Sequence, residues 1–309
     1  MRKQTTVQAA QTVAGQSMGR AIIGVMRNPA LRKGTVGCVK SIFYHFFFLQ
    51  YKAALRPGRL PVTAVDHPLD TEIPFTPRWV GIYLDFVAFW IRMLGFLLSR
   101  YGRLAFKPVL DFIDTMGKLY GFAAEVYTKN LSTTDRPRYY AQPRFVLIHA
   151  VDPHLMCIPS LHVMVVIRTY TKFRAILRGL GEDARMAPQI DELHRGARDI
   201  TEAILYVKQH SVNCVSAAMY AMTRFEPALF PENEAVDFAS LLFTQSGSPE
   251  ASGAVRDYII ARYRWFLEEA RKGGWNGSDA PTPDWNAPLL AFLTNPECIT
   301  DRLIILPPR

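Results

Sequence analysis

The chain has 309 residues, a net charge of +9 and 49% hydrophobic residues, with a mean hydropathy of +0.03. That length can bury a full core, so one large domain with decorations is expected, and the mean hydropathy excludes a protein made mostly of spanning helices. Four scattered cysteines (Cys38, Cys157, Cys214, Cys298) form no C-x-x-C pair, which argues against a zinc site or a small disulfide scaffold and makes a reducing compartment the default.

Charge is unevenly placed. Residues 1–65 carry ten Lys or Arg and no Asp or Glu, so the remainder sums to −1. An arm of this kind suits an anionic surface, for which membrane lipid and nucleic acid both qualify. No recognisable nucleic-acid module accompanies it, so nucleic acid is not expected as a partner. The first thirty residues lack the apolar core and cleavage site of a secretory signal, although their acid-free, Arg- and Ser/Thr-containing character would also suit an organelle presequence.

In chain order, residues 7–27 read as a weakly amphipathic helix ending near Asn28-Pro29. Residues 41–49 are strongly apolar, but Lys40 and Lys52 bound them too closely for a spanning helix of about 20 residues; they suit an interface or a core. Five prolines between 56 and 77 mark a linker, so 1–77 reads as a basic arm plus linker. Trp79 to Ser99 is the best spanning candidate, and equally a buried core helix. Asp85 and Arg92 interrupt it and fall on one helix face, where they can pair. Residues 103–127 continue as an amphipathic helix, and Arg144 to Val151 suits a strand or a buried helix.

A helix is expected over Ser160 to Arg178, and the longest helical pattern runs from Ile190 to Ala218. Ala251 to Ala270 is another amphipathic helix. A Gly/Pro/Asp/Asn-rich loop over 273–288 opens a C-terminal tail, 273–309, which ends near the run Leu303-Ile304-Ile305-Leu306. No strand alternation stands out, so the fold class is all-α, with a helical domain over 78–272.

Three motifs carry chemistry. Lys129 and Arg136, followed by Pro137, offer a point charge and a planar fork to phosphate oxygens. Pro159-Ser160-Leu161-His162 puts a hydroxyl at a helix start, where unpaired N–H groups and the positive dipole end favour an anion. Lys208-Gln209-His210 places a second histidine within the long helical pattern. Each has a plainer reading alone: a solvated basic loop, an N-cap serine beside an ordinary histidine, and a satisfied core histidine. Their order and co-occurrence favour phosphoryl chemistry.

That order resembles the type 2 phosphatidic acid phosphatase and vanadium haloperoxidase superfamily, over roughly the middle third of the chain. The family pattern is Lys-x6-Arg-Pro, then Pro-Ser-Gly-His, then Ser-Arg-x5-His-x3-Asp. Lys129, Arg136 and Pro137 match the first motif; Pro159, Ser160 and His162 match the second, with Leu161 in place of Gly. The wider text from Asp152-Pro153 to Val163 looks like the inositol phosphorylceramide synthase-like branch. In the third motif the Ser-Arg pair falls on Ala203-Ile204 and the Asp on Cys214, beside Asn213.

The resemblance implies a metal-independent site without cofactor. His210 would be the nucleophile and His162 the general acid and base, with Lys129, Arg136 and Ser160 holding the phosphate. With the third-motif Asp gone, Asn213 or Cys214, the latter expected one helical turn past His210, is left to orient that ring. The expected function is a membrane-associated, otherwise cytoplasmic, phosphatase or phosphotransferase acting on a lipid phosphate ester at an anionic membrane surface. The alternative is an inactive relative that binds phosphate head groups or a protein partner. A helical nucleic-acid or scaffold protein using the basic arm is the third reading.

Overall fold

The computed structural model describes residues 12–277 and 284–301. The first residues of the 7–27 pattern and the run Leu303 to Leu306 lie outside them. The chain is 69% helical and 2% strand, an all-α fold.

Two side-chain caps organise the N-terminal layer. Ser17 Oγ accepts from Arg20 N ahead of α1 (Met18–Arg27), and Asn28 Oδ1 accepts from Ala30 N and Leu31 N ahead of α2 (Pro29–Ile42), with Pro29 in the first turn, where its missing N–H costs nothing. The apolar run 41–49 continues as a wider π-helical turn, Phe43–Phe48, into α3 (Leu49–Ala54). α1 lies on the later helix over Phe86–Tyr101, and Gly95 is what permits the approach. A Cβ at position 95 would stand 2.6 Å from the Ala21 Cβ.

Residues 56–77, expected as a linker, are tied into the core. Strand β1 (Val62–Ala64) pairs in parallel with β2 (Leu131–Thr133). His67 and Asp70 cap each other's turn over Pro68–Glu72, and Val65 and Ile73 are buried. The Trp79–Ser99 stretch divides at Asp85 into α4 (Val80–Leu84) and α5 (Phe86–Tyr101), and the expected Asp85–Arg92 ion pair forms across the division. One helical stretch within Pro77–Tyr127 is long and apolar enough to cross a membrane, and 44% of its most apolar window is buried inside the protein. α5 itself covers only about 24 Å of rise.

After α6 (Phe106–Tyr127), β2 and α7 (Pro143–Val151), the central helix α8 (Leu161–Gly179) packs against α5, α6, α9 (Ala187–Tyr206) and α10 (Val212–Phe225). Residues 144–151 are therefore helix. α11 (Glu232–Ser240) and α12 (Ser252–Lys272) close the far side of α10. Residues 284–301 fold back as α13 (Ala287–Thr294) and α14 (Pro296–Thr300), with Trp285 buried and stacked on Phe122 at 3.6 Å.

The long pattern expected from Ile190 to Ala218 is two helices. α9 ends where Lys208 takes a positive φ of 54° and Gln209 N reaches back to Ile204 O, a left-handed stop made without glycine. Ser211 then caps α10. His210 thus sits in the junction, not in mid-helix.

Candidate functional site

The junction and the start of α8 face each other. His210 Nε2 lies 3.3 Å from Ser160 Oγ and 3.3 Å from His162 Nδ1. Ser160 occupies the N-cap position of α8, but its hydroxyl turns to His210 and caps no backbone N–H. The first N–H groups of a 19-residue helix therefore lack that side-chain partner at the same point.

Both sides are held by hydrogen bonds from neighbouring segments. Ser132 Oγ, on β2, accepts from Cys157 N and Ile158 N, and so shapes the loop that delivers Ser160. The former linker holds the other side: Asp70 Oδ1 accepts from Val212 N at 2.9 Å, and Lys208 Nζ donates to Asp70 O. Burial pushes the Asp70 carboxyl up to about 6 against these hydrogen bonds. His162 is gripped between Tyr83 and Phe86, with ring centroids at 4.7 and 4.3 Å. Burial first, then the charge of His210, pushes its pKa down to about 3, so the resting ring is neutral at pH 7.

Arg136 reaches this group indirectly. Its Nη1 donates to Gln209 Oε1 at 3.2 Å and its Nη2 to Asp152 O at 2.8 Å, with the Asp152 carboxylate 3.7 Å away. Lys129 is not brought in; it is exposed, and its Nζ donates to Asn286 Oδ1 at 3.3 Å.

The two residues expected to orient His210 do not do so by the expected route. Asn213 donates to Val65 O and Ile299 O and accepts from Tyr258 Oη, so its amide is used on the far side. Cys214 is not one helical turn beyond His210, because the helix breaks between them. Its buried thiol is free and neighbours that of Cys157, which helps burial raise its pKa.

Two groups were not legible beforehand. His154, with a positive φ of 61°, is buried with Nε2 2.7 Å from Thr134 Oγ1 and Nδ1 3.7 Å from Asp152 Oδ2. Burial opposes its charge, but Cys157 and Asp152 outweigh it and raise its pKa to about 9. The same contacts act in reverse on their partners. Burial would raise the Asp152 pKa, yet hydrogen bonds and charge from His154 hold it at about 2. Burial likewise opposes ionisation of Cys157; hydrogen bonding from Cys214, the charge of His154 and the nearby His210 prevail and pull it well below the ordinary thiol range. Cys157 Sγ lies 3.6 Å from His154 Nε2, so thiol and imidazole favour each other's ionisation next to His210, whose own Nδ1 makes no well-formed hydrogen bond.

The second group is Gln50, from the N-terminal layer. It is 1% exposed, its Oε1 accepts from Leu155 N, and its Nε2 has no partner. Gln50, His154, Cys157, His162 and His210 line one small cavity of about 20 Å³, room for about one water. Among the described residues no group of His, Cys, Asp and Glu has the arrangement of a metal site.

Comparison with protein-family models, with curated proteins and with solved structures finds no match to this chain. Any functional reading therefore rests on this geometry and on the motif resemblance.

Proposed function

We propose that the protein is a membrane-associated phosphatase or phosphotransferase that acts on a lipid phosphate ester through a phosphohistidine, as the resemblance to the type 2 phosphatidic acid phosphatases implies. The observation that carries this reading is the convergence of Ser160 Oγ and His162 Nδ1 on His210 Nε2, at the start of α8.

His210 Nε2 attacks phosphorus while the bond to the alcohol oxygen breaks. That oxygen takes its proton from His162, which has taken one up from solvent as the bound phosphate dianion counters the burial and repulsion that keep the ring neutral at rest. His162 then removes a proton from water or an acceptor alcohol, whose oxygen bonds phosphorus as the N–P bond breaks. Ser160 and the first N–H groups of α8 hold the equatorial oxygens, and Arg136 adds charge through Gln209. The tautomer with Nε2 free to attack has its proton on Nδ1. In this reading Nδ1, which has no carboxylate partner, relies on the neighbouring Cys157, whose ionisation His154 favours, to take the part of the missing third-motif carboxylate.

Membrane attachment fits the same layer that supplies Gln50. Ile22, Ile23, Val39, Phe43, Tyr44 and Leu55 are all exposed, Leu55 by 81%, among ten Lys or Arg and no acid over residues 1–65. This composition suits helices lying in the interface, with each basic residue near an anionic leaflet contributing about 1 kcal/mol.

A second reading, an inactive relative that binds phosphate, is favoured by the absence of any carboxylate at His210 Nδ1. Phosphate release from a panel of lipid phosphates, with and without vanadate, separates the two. Vanadate-blocked turnover is expected; phosphate binding without release on every ester would favour the second.

A further inference from the structure

An apolar cleft of about 450 Å³ runs between α1, α2 and α5, from exposed Ile22, Val39 and Val87 at its mouth to His162. Its volume lies in the range of small-ligand sites. No Asp, Glu, Lys or Arg lines it. Phe46, Leu161 and His162 form part of its wall and also part of the wall of the small cavity that holds His210 and Gln50.

We infer that this cleft binds a single unbranched hydrocarbon chain whose phosphate end lies at His162. The inference deepens the phosphoryl-transfer reading and rests on it only for the phosphate. The lining decides the class of occupant. A peptide strand or helix would bring backbone N–H and C=O groups into walls that offer almost no partners, at a cost for each unsatisfied group. A methylene chain brings none. The polar end is set by continuity: the wall residue His162 touches His210, and the unpartnered Gln50 Nε2 offers a buried donor beyond it. At the other end the mouth opens among the exposed apolar side chains of α1 and α2, so a chain drawn from a lipid surface would enter without crossing a polar rim.

The test uses the full chain and an alkyl phosphate series from butyl to hexadecyl, each brominated near the chain end and kept below micelle-forming concentration. Trp90 lines the cleft, so its fluorescence reports the bromine. Affinity is expected to rise by up to about fourfold per added methylene until the cleft is filled. Trp90→Phe should remove most of the chain-dependent quenching. Val39→Phe and Val87→Phe, both at exposed positions that tolerate a larger ring, should weaken binding of the long chains and leave butyl phosphate unaffected. Affinity independent of chain length would overturn the inference, as would quenching that survives Trp90→Phe or long-chain binding unchanged in both filled variants. Because binding is read without turnover, the two readings fail separately. Chain-dependent quenching with no phosphate release supports the cleft and removes the enzyme. Release from lipid phosphates with chain-independent quenching keeps the enzyme and removes the cleft.

Discussion

α10 and α1 illustrate two ways of placing a helix in this protein. Thirteen of the 14 residues of α10 are buried, including Asn213, Ser216 and Arg224, each with a hydrogen-bonded partner. Of the ten residues of α1, only Ala21 and Val25 are buried, and Met18, Ile22, Ile23 and Met26 stay exposed. The helices around His210 hold chemistry in place, since a buried polar network has few alternative arrangements. The N-terminal layer covers that centre with apolar surface and contributes one polar group to it, Gln50. The difference separates a site fixed by the core from an approach fixed by the arm.

The sharpest break between the two regions is a change in the core. His210→Ala should abolish phosphate release on every ester while the protein stays folded, because the ring lies in a junction and holds up neither helix. Residual turnover in a folded His210→Ala protein would move the nucleophile elsewhere. Next comes the substitute for the lost carboxylate. Cys157→Ala should cut the rate by up to about 10⁴-fold, the cost of a wrong tautomer in a Ser-His-Asp setting. Cys214→Asp should give no gain, since the break between α9 and α10 takes position 214 out of the turn after His210. A gain there with no loss from Cys157→Ala would reverse the two roles.

The arm's contribution to the site is smaller. Gln50→Leu removes one hydrogen bond to a ligand oxygen, and a threefold to tenfold loss in kcat/KM is expected. No loss would confine the arm to the membrane side. The smallest effect is on stability. His162 is neutral in the folded chain down to about pH 3 but titrates at an ordinary 6.5 when unfolded. Between those values the unfolded state binds more protons, so this group's share of stability is present above 6.5 and is lost as pH falls towards 3. His162→Phe, with its ring still between Tyr83 and Phe86, should therefore unfold at relatively higher urea than the parent at pH about 4.5 than at neutral pH. An equal difference at both pH values would mean that His162 is charged in the folded protein.

How much of this was legible follows from the type of signal each residue left. Helices with strong apolar periodicity, such as α6, α8 and α12, were readable, as was Ser160 at a helix start. The break between α9 and α10 was not. Val207, Ser211/Val212 and Cys214/Val215 carry a three-and-four spacing across it, and the residue that stops α9 is Lys208 in a left-handed conformation that usually signals glycine. That one error misplaced His210, Asn213 and Cys214 together. Lys129 matched a motif, but its side chain turns to Asn286 in a C-terminal segment read as tail. His154 left a faint trace, a histidine two residues after Asp152 in the resembling stretch. Gln50 left none, because a lone glutamine after an aromatic run carries no pattern; only the fold brings it to the cavity.

The central claim is that His210 carries the phosphoryl group. The most direct measurement is acid-free mass spectrometry of the protein quenched during turnover of a lipid phosphate. A phosphoryl adduct on His210, absent from His210→Ala and lost when vanadate is present, is the result expected. Vanadate-sensitive phosphate release from the parent protein with no adduct on His210 would contradict it.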